Sequence, residues 1–149
     1  MRSRKGFTLL ELLVVMVLAA IVLATAVPSI GRMMASNDVQ RSASVIAADL
    51  QQAHALAGRR RVPVRIVIDT VNKTMRIRNF SGTDTTLGTV RRFGSKGEYP
   101  LQSMRASVLD LAVYPNGLAA DSISITVRAE SKSRRIRMTR VGQVRVVQP

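Results

Sequence analysis

Residues Phe7 to Val27, FTLLELLVVMVLAAIVLATAV, form the longest apolar run in this chain and hold one charge, Glu11. As a helix, 21 residues span about 31 Å, close to the thickness of a bilayer's hydrocarbon core. Arg2, Arg4 and Lys5 stand just before the run. Basic residues stay on the cytoplasmic side of a membrane helix, so the rest of the chain is expected across the inner membrane, in the periplasm.

Two readings compete for this run. A secretory signal peptide would be removed, and Ala24-Thr25-Ala26 offers a small-x-small cleavage site. A secreted hydrolase would then begin near Val27. Against this stands Glu11, because a carboxylate within an apolar span needs a partner. In the second reading the chain is cut between Gly6 and Phe7 and the helix is kept. The new α-amine of Phe7 then lies one helical turn from Glu11. Opposite charges could be matched within one helix, or between neighbouring helices, where they would set an axial register.

The residues G-F-T-L-L-E-L-L-V-V-M, behind a basic leader, resemble the class III signal of type IV pilins and type II secretion pseudopilins. The resemblance implies cleavage after Gly6 by a prepilin peptidase, methylation of Phe7, and assembly with other pilins through Glu11 and a neighbour's N-terminal amine.

Beyond the apolar run the expected organisation is a leader at 1–6, a transmembrane and assembly helix at 7–27, an amphipathic half of the same helix at 28–58, and a β domain at 59–149. Pro28 and Gly31 predict a bend. Val39, Ala43, Ile46, Leu50, Ala53 and Ala57 recur at alternating spacings of 4 and 3, one helical face. Arg41, Asp49, Gln51 and Gln52 lie off that stripe. Gly58 reads as the helix stop, and Arg59, Arg60 and Arg61 complement the helix dipole.

The period then becomes two. Strands are expected at 62–69, with Pro63 marking an edge or a first position, and at 75–80, joined as a hairpin. Residues 81–107 read as a variable, loop-rich stretch with a short strand at 89–93. Further strands are expected at 108–114, 122–129, 134–141 and 143–147. The fold class is α+β: a long N-terminal helix packed on an antiparallel sheet.

Three segments also resemble the GspH/FimT branch of pseudopilins: Ala53 to Val64, V-Y-P-N-G-L at Val113 to Leu118, and Ser133 to Val146. A G-R-x-R-like stretch common in that branch reads Gly142-Gln143-Val144-Arg145 here, without the first Arg. The resemblance implies a minor pseudopilin or pilin, in initiation or at the tip of a filament, of a type II secretion system or a type IV pilus. The alternative it offers is a FimT-like minor pilin that binds DNA during natural transformation.

Enzyme chemistry finds little support. There is no cysteine, His54 is the one histidine, and the acidic residues are scattered. No P-loop, dinucleotide fingerprint or G-x-S-x-G occurs. No metal or cofactor is expected, and His54 reads as a packing residue on the helix flank. Charge points to an anionic partner instead. Removing the three basic leader residues from 23 leaves 20 against 9 acidic residues, a net +11.

The basic residues concentrate near the C-terminus at Arg128, Lys132, Arg134, Arg135, Arg137, Arg140 and Arg145. They are the candidate anion- or DNA-binding site, acting on phosphates because aromatic residues for base stacking are scarce. A connection of Glu130 to Ser133 would pair Val127 with Ile136 and Ile125 with Met138. That register sets Arg128 opposite Arg135 and Thr126 opposite Arg137.

Overall fold

The structure is a computed structural model. It describes residues 8–80, 86–94 and 97–148, and for residues 25–28 the backbone alone. The leader, the expected cleavage and methylation positions Gly6 and Phe7, and parts of the variable stretch lie outside the described residues. Helix α1 spans Leu9–Arg60, followed by β1 (Val64–Asp69), β2 (Thr74–Asn79), β3 (Arg91–Arg92), β4 (Ser103–Ala106), β5 (Asp110–Val113), β6 (Ile123–Ala129), β7 (Lys132–Met138) and β8 (Val144–Val147). The chain divides into two units, Met1–Met34 and Ala35–Pro149.

In the first unit, every described side chain from Thr8 to Ala24 is exposed. Among the described residues α1 alone is long and apolar enough to cross a membrane. So much apolar surface requires lipid or protein around it. The helix assignment runs on through Pro28 and Gly31.

The second unit is built on the other end of α1. Val39, Ala43, Ile46, Leu50, Ala53 and Ala57 are all buried, the predicted stripe in full. Asp49 corrects the sequence reading. It lies off the apolar stripe but is buried, and its carboxylate accepts from Arg91 Nε at 3.1 Å. The ion pair ties α1 to β3. Gly58 does not end the helix, which continues through Arg59 and Arg60 and stops at Arg61, whose φ of 55° is left-handed. Gly58 has open space around it, so nothing forces the chain to turn there. Arg59 and Arg60 do occupy the last helical turn, where cations suit the dipole.

The strands form two antiparallel four-stranded sheets, ordered β3-β2-β1-β5 and β4-β6-β7-β8. In the first, β1 and β2 make the expected hairpin, pairing Ile66 with Ile77 and Ile68 with Met75. The Asp69 carboxylate closes the turn by accepting the N–H of Val71 and of Asn72, each at 2.9 Å, and the Asn72 bonds hold its pKa below the usual value. Pro63 sits before β1, which is flanked by β2 and β5 and is therefore no edge. In the second sheet, β4 lies inside the stretch read as loop.

The β6–β7 register also differs from expectation. The connection has two residues, Glu130 and Ser131, and Ile125 faces Ile136, Thr126 faces Arg135 and Ser124 faces Arg137. The expected register was two residues off. A slip of two keeps every side chain on its own face, so the apolar alternation cannot detect it. The turn decides it, through Glu130 at φ 51°. Arg128 consequently faces Ser133 and not Arg135. The inner faces of both sheets and the α1 stripe share one hydrophobic core, with Ile66, Met75, Phe93, Ile125, Ile136 and Met138 nearly inaccessible.

Asp49→Ala leaves the Arg91 guanidinium without its anion and is expected to lower stability by about 2–3 kcal/mol. Urea denaturation of the full chain in detergent checks this. A loss within about 0.5 kcal/mol, the range of an ordinary surface substitution, would show the pair to be dispensable.

Candidate functional site

At the start of α1, Glu11 is satisfied within its own chain. Its Oε2 accepts from the Thr8 N–H and from the Thr8 hydroxyl, each at 3.3 Å, while the Glu11 N–H donates to Thr8 Oγ1 at 3.2 Å. This is a reciprocal capping box, in which the N-cap Thr and the Glu three residues on satisfy each other's backbone N–H groups. Thr8 is a site residue that the sequence reading passed over, although S/T-x-x-E before an apolar run is a readable signal. The box is exposed, so the carboxylate stays accessible to a neighbouring chain.

The seven basic residues of the C-terminal region do not form one cluster. Alternation along β7 sends Lys132, Arg134, Ile136 and Met138 to the core-facing side and Arg135 and Arg137 to the outer side. Arg128 on β6 and Arg145 on β8 share that outer side. Arg140 stands apart in the β7–β8 turn, where its carbonyl accepts the Ala119 N–H at 2.7 Å. Register adds Arg105 of β4, which lies opposite Thr126, itself opposite Arg135. Arg105 escaped notice because β4 was read as loop, yet Met104 and Arg105 already alternate buried with exposed.

The outer face of β4-β6-β7-β8 therefore presents Arg105, Arg128, Arg135, Arg137 and Arg145. Arg137 and Arg145 are directly opposed across β7 and β8, an arrangement that is unfavourable until an anion lies between them. Among the described residues none of the five is paired with a carboxylate; Arg128 Nε donates instead to the Glu130 carbonyl at 2.9 Å. The other sheet differs. There Arg65 Nη2 meets Asp110 Oδ2 at 3.0 Å and its Nε meets Oδ1 at 3.0 Å, with the guanidinium 5.7 Å from the Phe80 ring centre. The strands of the second sheet hold no acidic residue, whereas those of the first hold Asp69 and Asp110.

His54 sits on the flank of α1 beneath the β7–β8 turn. Gly142, at φ 80°, packs so closely that a Cβ there would lie 2.9 Å from His54 Cε1. Nε2 is buried with no hydrogen-bond partner, and burial lowers the imidazole pKa from its ordinary 6.5. Among the described residues no group of three or more His, Cys, Asp or Glu side chains could hold a metal.

Residues 1–27 match the prokaryotic N-terminal methylation motif. No curated protein matches the chain. The structure is similar to the type IV minor pilin FimU of Pseudomonas aeruginosa, with a TM-score of 0.60 at 15% identity over 74% of this chain and 89% of that one. A second crystal form of FimU gives 0.54 at 14% identity over 72% and 91%. The minor pseudopilin EpsH from the type 2 secretion system of Vibrio cholerae gives 0.55 at 12% identity over 75% and 98%. The fold is the one these minor pilin and pseudopilin structures share, and residues 1–27 add the methylation motif.

The depressed pKa of His54 gives stability a sign on the pH axis. The folded state disfavours the proton that the unfolded chain accepts below about 6.5, so stability is full above that pH and declines as pH falls toward the folded pKa. The melting temperature should therefore fall between about pH 7 and pH 5, and His54→Leu should remove most of that dependence. An identical pH profile in His54→Leu would assign it to other groups.

Proposed function

We propose that this chain, with the methylation motif of type IV pilins on a pilin fold, is a minor pilin or pseudopilin subunit of a type IV pilus or type II secretion filament. In this reading a prepilin peptidase cuts after Gly6, Phe7 becomes the methylated N-terminus, and the helix stays in the inner membrane. The basic leader keeps the N-terminus cytoplasmic and leaves the β unit periplasmic. Subunits then pack through their apolar helices and are drawn into a filament that this subunit initiates or caps. Pro28, which has no N–H to donate, and Gly31 would be the points where the helix bends on entering the filament. The role is structural rather than enzymatic.

The observation that carries the reading is Glu11. It is the one charge in the apolar run, and it is held only by an exposed capping box. Thr8 satisfies the carboxylate before assembly, and in the filament a neighbour's Phe7 amine takes up the exposed oxygens. Glu11→Ala should leave membrane insertion intact, since it removes a charge from an apolar span, and should abolish incorporation into filaments. Fractionation and filament shearing read the two outcomes separately, and normal incorporation would sink the assignment.

A second reading rests on the five outer arginines. In it the second sheet carries DNA by phosphate contacts, as a FimT-like subunit would for DNA uptake. Binding would be salt-sensitive and weakly sequence-specific. Replacing Arg135 and Arg137 with Gln should weaken duplex binding and lower the slope of log affinity against log salt by about 2, one for each arginine withdrawn from a phosphate. An unchanged slope would remove DNA from this face.

A further inference from the structure

A half-open cleft of about 340 Å3 lies between α1 and the β6–β7 turn, lined by Ser36 and Val39, by 131–134, and by Gln148. None of the five outer arginines lines it. Lys132 and Arg134 line it because the alternation that buries Ile136 and Met138 sends them to the same, core-facing side. Their cross-strand partners, Ala129 and Val127, are both buried. The Cα atoms of these two basic residues thus stand about 7 Å apart along one strand, where the rest of that face is apolar core. Neither is paired with a carboxylate among the described residues, and no acidic side chain lines the cleft. The Ser36 and Ser131 hydroxyls add neutral donors.

We infer that this cleft binds a phosphate monoester or diester carried on a small organic group. A tetrahedral phosphate can engage two cationic centres and a hydroxyl together, whereas a carboxylate with two oxygens spans less. The volume exceeds what a bare phosphate needs and falls within the range of small-molecule sites, about 300–1,000 Å3. The phosphate belongs either to a soluble phosphorylated compound or to a phospholipid headgroup.

The test uses the full chain and two probes, glycerol 1-phosphate added to protein in zwitterionic detergent, and nanodiscs with or without phosphatidylglycerol. Arginine side-chain NMR shifts report occupancy. Saturable shifts at Arg134 are expected with at least one probe. Saturation by glycerol 1-phosphate identifies a soluble ligand, and saturation only with the anionic lipid identifies a headgroup. The double variant K132Q/R134Q should weaken binding at least about tenfold, while R135Q/R137Q on the opposite face stays within about twofold. Equal losses in both variants would mean diffuse attraction and overturn the site. So would the absence of saturation with both probes, or saturation only by a poly-glutamate peptide run as a control, which would make the cleft a contact for an acidic protein.

Discussion

Burial of one face of α1 is the constraint on which the β unit depends. Neither four-stranded sheet can cover its own apolar face, and the stripe from Val39 to Ala57 meets both in a single core. Three of its six residues are alanines, which allow strands to approach the helix closely, while Ile46 and Leu50 fill the volume between. Two specific contacts add to this packing, the Asp49–Arg91 ion pair toward the first sheet and the stacking of Gly142 on His54 toward the second. A sheet of two to seven-residue strands would be marginal alone. With the helix as a shared wall it becomes a folded unit.

The two sheets differ in how their arginines are partnered. In the first, Arg65 holds Asp110 through two bonds and Arg91 holds Asp49. In the second, the outer arginines have no such partners, and two of them face each other across neighbouring strands. In the proposed readings the outer face takes an extended polyanion and the cleft a compact one.

In the proposed function, Glu11 links the local and assembled states of the helix. Within the chain it serves Thr8 and the first turn of α1, which removes the immediate penalty of an unsatisfied carboxylate. With donor distances of 3.2–3.3 Å on an exposed turn, those bonds are weak, and in the proposed filament an ion pair with an amine would replace them.

The amino-acid sequence determined what depends on spacing. The membrane-length apolar run, the six-residue helical stripe, the alternation that assigns each strand residue to a face, and the α+β class were all legible there, since periods of 3.6 and 2 are local properties. So was the parity that turns Lys132 and Arg134 away from Arg135 and Arg137, although the basic residues looked like one cluster in the linear chain. The tertiary structure decided what depends on distance and on turn geometry. It buried Asp49 against Arg91, forty-two residues away. It raised Ser103–Ala106 from loop to edge strand, and it set the β6–β7 register by a two-residue turn. The physical reason is the same in each case. Alternation is unchanged by a slip of two residues, and neither a left-handed glutamate at a turn nor a distant charge partner leaves a periodic trace.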